Sequence, residues 1–327
     1  MTADHRRKGW LPPGREALRL RAETLGRIRA FFLERGVMEV ETPMLSAAGN
    51  TDPNIQSFTA SFTGHVDAGA RERWMRTSPE FPLKRLLAAG AGDIYELGRV
   101  FRNGEAGGRH NPEFTMLEWY RVGWDDVKLA REVIDLLELL LVRAGKAFDV
   151  YETTYRGLFH DALGIDPLVD PVEKLQAAMS GTEIDGEGLE RDDWLDLVLT
   201  HRIQPFFPRD RITVVYDFPA SQCALARIRH DDPPVAERFE AYVGPYEVAN
   251  GYHELNDPAE QRARFERDNA KRRERGDREV PIDERLLSVL ADMPDCAGVA
   301  LGVERLLMVL AGTDAIADVL AFPFSEA

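Results

Sequence analysis

The first periodic segment runs from Arg15 to Arg35, where Leu18, Leu20, Leu25, Ile28, Phe31, Phe32 and Leu33 recur at three- and four-residue spacing. That is the pattern of a half-buried helix, and Gly36 closes it. Val37 to Pro43 alternates apolar and acidic residues up to a proline, which predicts a strand. Aromatic and β-branched runs at 73–77, 93–101 and 113–122 predict three more, the last two joined through glycine-rich residues 104–108 as a hairpin with a long, mobile tip. A helix is expected at about 125–143, followed by a region at about 150–205 in which Pro, Gly and Asp punctuate short helical pieces, read as an insertion without chemistry. Strands return at 212–218, 239–243 and 246–248; a polar helix spans about 258–275, and an apolar helix at about 302–311 follows a loop at Ala297-Gly298. Hairpin-linked strands predict an antiparallel sheet with helices packed on one side, an α+β design and not a doubly wound one.

Composition narrows the class. The chain has 327 residues, 44% of them hydrophobic, enough for one large domain or two ordinary ones with a full core. Cys223 and Cys296 are far apart and lack the spacing of a thiolate zinc site or the density of a disulfide scaffold, which fits a reducing cytoplasm. Met1 to Gly14 is charged without an apolar core, and no run of about 18 apolar residues occurs, so neither export nor a membrane is expected. With 41 basic and 56 acidic side chains the net charge is 41 − 56 = −15. That balance argues against a broad grip on nucleic-acid backbones and favours a small molecule or a protein as partner.

Three constellations could carry chemistry. Phe101 to Phe114 places Arg102, Arg109 and His110 among three glycines on the predicted hairpin tip, suited to wrapping an anion, with Phe114 able to stack on a flat base. A surface hairpin with solvated charges has the same composition. Glu240, Glu247 and Glu254 follow at seven-residue intervals. A tight turn at Val243-Gly244-Pro245 would set Glu240 across from Glu247, which is unfavourable unless a cation such as Mg²⁺ lies between them. Residues 247 and 254 differ by an odd number, so a bulge at Asn250-Gly251 is needed to bring Glu254 to the same side. Solvated glutamates on a sheet edge are the plain alternative. Third, Gly298 to Leu310 places glycines at a helix start with Arg305 one turn in, an anion site or simply a core helix with one charge.

Taken in order, these strings resemble the three motifs of class II aminoacyl-tRNA synthetases. Arg102-Asn103, then Arg109-His-Asn-Pro-Glu-Phe-Thr-Met-Leu-Glu-Trp-Tyr120, and Glu247-Val-Ala-Asn-Gly-Tyr-His-Glu-Leu-Asn-Asp257, are similar to the lysyl branch, and the likeness spans about Arg15 to Phe322. Motif 1 begins near residue 15, leaving no room for the OB-fold that reads the anticodon, so no anticodon recognition is expected and the chain reads as one catalytic domain over 1–327. Thr77-Ser-Pro-Glu80, Phe218-Pro-Ala-Ser-Gln222 and Gly298-Val-Ala-Leu-Gly302 look closest to the truncated lysyl-tRNA synthetase paralogues that attach (R)-β-lysine to a lysine of elongation factor P.

The resemblance implies ATP and Mg²⁺, and roles position by position. Arg102 would hold the α-phosphate and Phe114 would stack on adenine. Arg109, His110 and Arg305 would surround the outer phosphates, with Asn103, Asn111, Val248 and Gly302 also in the ATP site. Glu240 and Glu247 would bind Mg²⁺. For the amino acid, Ser78, Pro79 and Glu80 would sit near the carboxylate and its amine, Glu118, Tyr120 and Glu254 at the distal ammonium, and Ala300, usually glycine in the synthetases, in the pocket wall. Arg102 and Arg305 are the expected catalytic pair, acting by charge and position in forming an aminoacyl-adenylate of (R)-β-lysine or lysine. A homodimer is implied by motif 1. One departure stands out: the glutamate usual after Arg-Asn is Gly104 here, with Glu105 next. It motivates an alternative, a catalytically silent paralogue that binds a small molecule. An asparagine synthetase built on the same fold ranks below both, because paired carboxylates suit an ammonium. The run Arg267 to Arg278 reads as a solvated helix face sooner than a docking patch.

Overall fold

A computed structural model describes residues 14–143 and 145–327, so the reading of Met1 to Gly14 lies almost wholly outside the described residues. The described residues form two compact units, one within Met1–Val122, Asn256–Pro294 and Ala300–Ala327, the other within Gly123–Leu255 and Asp295–Val299.

In the first unit, α1 (Arg15–Glu34) leads to β1 (Met38–Glu39), β2 (Leu45–Ser46), β3 (Thr59–Ser61) and β4 (Glu72–Met75), then α2 (Glu80–Ala88), β5 (Ile94–Phe101) and β6 (Glu113–Val122). Gly36 ends α1 in the left-handed region, φ 68°, as a helix-stopping glycine should. The β5–β6 hairpin is antiparallel along its whole length, from Ile94 opposite Tyr120 to Phe101 opposite Glu113. β1 joins it in parallel, and β2, β4 and β3 make a separate small sheet. Only Met38 and Glu39 of the expected 37–43 strand are strand. Beyond them Thr42 turns its hydroxyl to Glu96 (2.7 Å) and accepts from Arg76 (2.9 Å), so the side chain takes over from the ladder. The apolar face of α1 packs on the hairpin, with Phe32 stacked on Tyr95 at 4.5 Å and edge-on to Trp119 at 5.3 Å.

The second unit holds α3 (Asp126–Arg143), β7 (Asp149–Thr154), α4 (Tyr155–Leu163), α5 (Val172–Ala178), α6 (Arg191–Val198), β8 (Arg211–Pro219), β9 (Ile228–Arg229), β10 (Val235–Val243) and β11 (Tyr246–His253). β10 lies antiparallel between β8 and β11, with β7 parallel to β8. Gly244, at φ 55°, and Pro245 make the tight β10–β11 turn that the sequence predicts. Helices α4 and α6 cover part of these strands, Tyr155 packing on Phe159 (4.7 Å) and Phe218 (4.9 Å) in a core shared with Trp194, Leu195 and Tyr242.

The chain then returns to the first unit through α7 (Pro258–Glu274) and α8 (Glu284–Leu287). β12 (Cys296–Gly302) starts in the second unit and ends in the first, where α9 (Val303–Ala311) follows. Ala297-Gly298, read above as a loop, lies inside β12. The architecture is the expected α+β one, largely antiparallel strands flanked by helices. Among the described residues no helix is long and apolar enough to cross a membrane.

The basic stretch on α7 is not a simple solvated face. Arg272 is 1% exposed and donates to the carbonyls of Thr51 (2.7 Å), Asp52 (2.5 Å) and Ile55 (2.8 Å) and to Gln56 Oε1 (3.0 Å). It clamps the loop before β3. Arg273 pairs with Glu279 and Arg278 with Glu72.

Candidate active site

Within the first unit, β4 ends at Met75, and the chain passes through Arg76 and Thr77 to Ser78-Pro79, the start of α2. Ser78 Oγ donates to Glu118 Oε2 (2.6 Å) and accepts the Glu80 N–H (2.9 Å), while the Tyr120 hydroxyl donates to Glu118 Oε1 (2.8 Å). Glu118 and Tyr120 stand two apart on β6, hence on one face, each 2% exposed. Three of the expected amino-acid contacts, Ser78, Glu118 and Tyr120, are therefore one hydrogen-bonded group, and Glu80 joins it through its backbone. The Glu80 carboxylate meets a residue that sequence reading passed over. Lys84, 2% exposed and one helical turn on, donates to Glu80 Oε1 at 2.5 Å. The Glu-x-x-x-Lys spacing at the start of a helix was the available signal.

The β5–β6 connection carries the anion-binding candidates. Arg102 Nε donates to the Thr77 carbonyl (3.4 Å), and its guanidinium lies 5.3 Å from the Phe114 ring centroid, so the residues expected at phosphate and adenine start side by side. Gly104 sits at φ 85°, a conformation that a residue with a side chain takes at a cost. Glu105, one residue on, comes within 3.8 Å of Arg102. On the far side of the tip, the exposed His110 offers Nε2 to Arg305 Nη2 at 2.8 Å. A guanidinium can only donate, so this nitrogen accepts. Arg305 is set by its neighbour: Glu304, 1% exposed, accepts the Thr115 N–H (2.8 Å) and Arg21 Nη1 (2.8 Å), which fastens the first turn of α9 to β6. Gly302 is the residue before that turn, and Ala300 is half-buried at the end of β12. Arg109 is exposed on the tip. Asn111 differs from it: 8% exposed, its amide donates to the Glu113 carbonyl (2.6 Å) and accepts the Phe324 N–H (2.9 Å), so its side chain is engaged by the protein's own backbone.

In the second unit the glutamates share a face, but not as opposite partners. Glu247 lies across from Tyr242, because the turn pairs Val243 with Tyr246, and Glu240 lies across from Asn250, after the register slips by one between Ala241 and Tyr242. Val248 is the extra residue, so the bulge falls earlier than the Asn250-Gly251 expected from sequence. It turns Glu247 to the side of Asn250, Tyr252 and Glu254. Glu240 is 7% exposed; Arg238 Nη2 donates to Oε1 (2.5 Å), and the Tyr242 hydroxyl donates to Oε2. Arg238, also unremarked in the sequence, further holds the Asn250 amide oxygen (3.2 Å) and the Gln222 carbonyl (2.8 Å). Burial pushes the Glu240 carboxyl upward, Arg238 opposes this, and the negative charge of Glu247 adds to it. A divalent cation between the two would relieve that repulsion. Each Glu240 oxygen accepts one protein donor and keeps a second lone pair, so the pair fits a metal whose ligand is oriented from behind. Glu254, 1% exposed, is fixed by its backbone, its N–H to the Cys296 carbonyl (3.0 Å) and its carbonyl to Arg227 Nε (2.8 Å). Nearby, burial first and Glu237 second raise the Asp126 carboxyl to about 6.

With this geometry in place, comparison with known proteins gives a consistent result. Residues 11–326 match the family described as tRNA synthetases class II (D, K and N). Proteins called "Elongation factor P--(R)-beta-lysine ligase" are similar along nearly their full length. The one from Vibrio parahaemolyticus is 49% identical over 96% of this chain and 98% of its own. That from Vibrio cholerae is 48% identical over 97% and 98%, and that from Mannheimia succiniciproducens 45% over 98% and 99%. The chain belongs to the class II tRNA synthetase family, on the branch occupied by these ligases.

Proposed function

We propose that the protein activates (R)-β-lysine with ATP and transfers it to a lysine side chain of elongation factor P, as its relatives' names describe for them. The observation that carries this reading is the buried carboxylate of Glu118, aimed by the hydroxyls of Ser78 and Tyr120. A desolvated carboxylate favours a substrate ammonium over an acidic side chain, which sets aside the asparagine-synthetase reading.

In the first step a substrate carboxylate oxygen attacks the α-phosphorus and pyrophosphate leaves. In the second, the acceptor amine attacks the activated carbonyl, AMP departs, and the amine's proton passes to solvent or to the leaving phosphate. No protein nucleophile is required; Arg102 stabilises charge at the α-phosphate and Arg305, with His110 and Arg109, at the departing phosphates. In the first unit Asn103 and Gly302 add to the ATP contacts, Phe114 stacks on the base, and Glu80 and Ala300 serve the amino acid; in the second, Val248 and Glu254 keep the ATP and amino-acid roles that the resemblance implies. Glu240 and Glu247 would hold Mg²⁺, which neutralises phosphate charge when bound. Glu105 near Arg102 supplies a carboxylate on the tip that Gly104 lacks.

Pyrophosphate exchange is expected with (R)-β-lysine above α-lysine and (S)-β-lysine, and none with aspartate. Elongation factor P should then gain the mass of one β-lysyl group. Exchange with no amino acid would return the silent-paralogue reading. We also infer a cytoplasmic homodimer. Leu18 and Leu33 on α1, Met38 on β1 and Leu45 on β2 are all at least 41% exposed and would be covered by a second copy. A single-chain mass in sedimentation at micromolar concentration would refute it.

A further inference from the structure

The connection that carries Arg102, Arg109 and His110 is held by backbone bonds from three directions. The Asn103 N–H donates to the Gln56 carbonyl (2.7 Å), and Gln56 is itself gripped by Arg272. At the tip, the Ile316 N–H donates to the Gly108 carbonyl (2.8 Å). At the return, the Phe324 N–H donates to Asn111 Oδ1 (2.9 Å), while Asn111 Nδ2 donates to the Glu113 carbonyl (2.6 Å). Asn111 thus links the far C-terminal segment to the first residue of β6, and it is buried where Arg109 and His110, its neighbours, are exposed. Residues 324–327 are exposed, so the core gains little from them.

We propose that residues 316–324 form a strut that fixes the phosphate-binding connection, with the Asn111 side chain as the positioning group through which it acts. The inference rests on the ATP-binding reading above. It gives the C-terminal segment a part in nucleotide affinity beyond the packing of its buried Ile316, Val319 and Leu320. Two of the three braces lie after α9, so the loop's shape depends on chain more than 200 residues away in sequence, between Asn111 and Phe324.

The test removes one hydrogen. Phe324 is the first residue of a short 3₁₀ turn and follows Pro323 at φ −61°, ψ 153°, a setting that accepts proline. Phe324→Pro therefore deletes the N–H with little strain, whereas Phe324→Ala keeps it and deletes the ring. ATP binding, measured by calorimetry without amino acid, should weaken about fivefold or more in Phe324→Pro and stay within about twofold in Phe324→Ala. Lysine binding should be unchanged in both. Asn111→Leu should match Phe324→Pro, and the double variant should be no worse than either alone, since both cut one linkage. Additive losses, or a Phe324→Pro protein that binds ATP like the parent, would overturn the strut. A parent protein that binds no ATP would overturn the function itself, so the two failures are distinct.

Discussion

Replacing Arg102 with alanine is expected to lower amino-acid-dependent pyrophosphate exchange by about 10²–10³-fold, roughly 3–4 kcal/mol of transition-state stabilisation. Arg102 is the cation that the protein positions most fully at the start of the β5–β6 connection: its backbone N–H is bound to the Pro112 carbonyl (2.8 Å), its Nε to the Thr77 carbonyl, and its guanidinium rests by Phe114. A preorganised charge gains value where negative charge grows during reaction, so the loss should fall mainly on kcat. Arg102→Lys should recover little, because a lysine ammonium cannot hold the Thr77 carbonyl and a phosphate in the same fork geometry. Thermal midpoints of both variants should stay near the parent's, since the side chain is partly exposed. If Arg102→Ala exchanged within a few-fold of the parent, the assignment of the α-phosphate contact would be wrong.

The second large effect is on stability. Arg76 and Glu96 form a buried pair at 2.5 Å, their side chains 5% and 4% exposed. Arg76 also donates to the Arg99 carbonyl (2.8 Å) and the Thr42 hydroxyl (2.9 Å), and Gly98 leaves space that a Cβ would take from its guanidinium. Arg76→Met strands the Glu96 charge and two acceptors together, which costs about 3–5 kcal/mol. A fall in the thermal midpoint of roughly 5–10 °C should follow. Adding Glu96→Leu should return much of the loss, because an apolar pair replaces an uncompensated charge. A single variant melting within a degree of the parent would show that the pair is not what holds β4, β5 and the Thr42 segment together.

The parts of this fold that were legible from sequence are those with local signals. α1 announces its periodicity and its glycine stop, and the β5–β6 hairpin its paired aromatic runs. β12 was not legible, because Cys296, Ala297, Val299 and Leu301 are all buried. A strand covered on both faces shows no alternation, and Gly298 made it look like a loop. α2 was missed because Pro82 sits in its first turn, where proline is tolerated but reads as a breaker. In the candidate site the residue types and spacings were readable, whereas the partners that aim them, Lys84 at Glu80 and Arg238 at Glu240, were not. Nothing in a run of charges marks which one is buried, and the same holds for Arg272 within its basic stretch. Register was the other blind spot: spacing alone placed Glu240 against Glu247, and the Gly244-Pro245 turn, which pairs Glu247 with Tyr242, sets them on a diagonal instead.

That unpaired residue, Val248, makes the geometry of the acidic face a matter of parity. Glu247 lies on one side of it and Glu254 on the other, so their common orientation depends on the count of residues between them and not on what those residues are. Substitutions in Val248 to His253 can alter packing and still leave both carboxylates on one face. Loss or gain of one residue there with the bulge kept would turn one glutamate toward the opposite surface, where Phe239 and Val299 crowd Gly251. Along this strand the constraint is therefore on length before it is on chemistry.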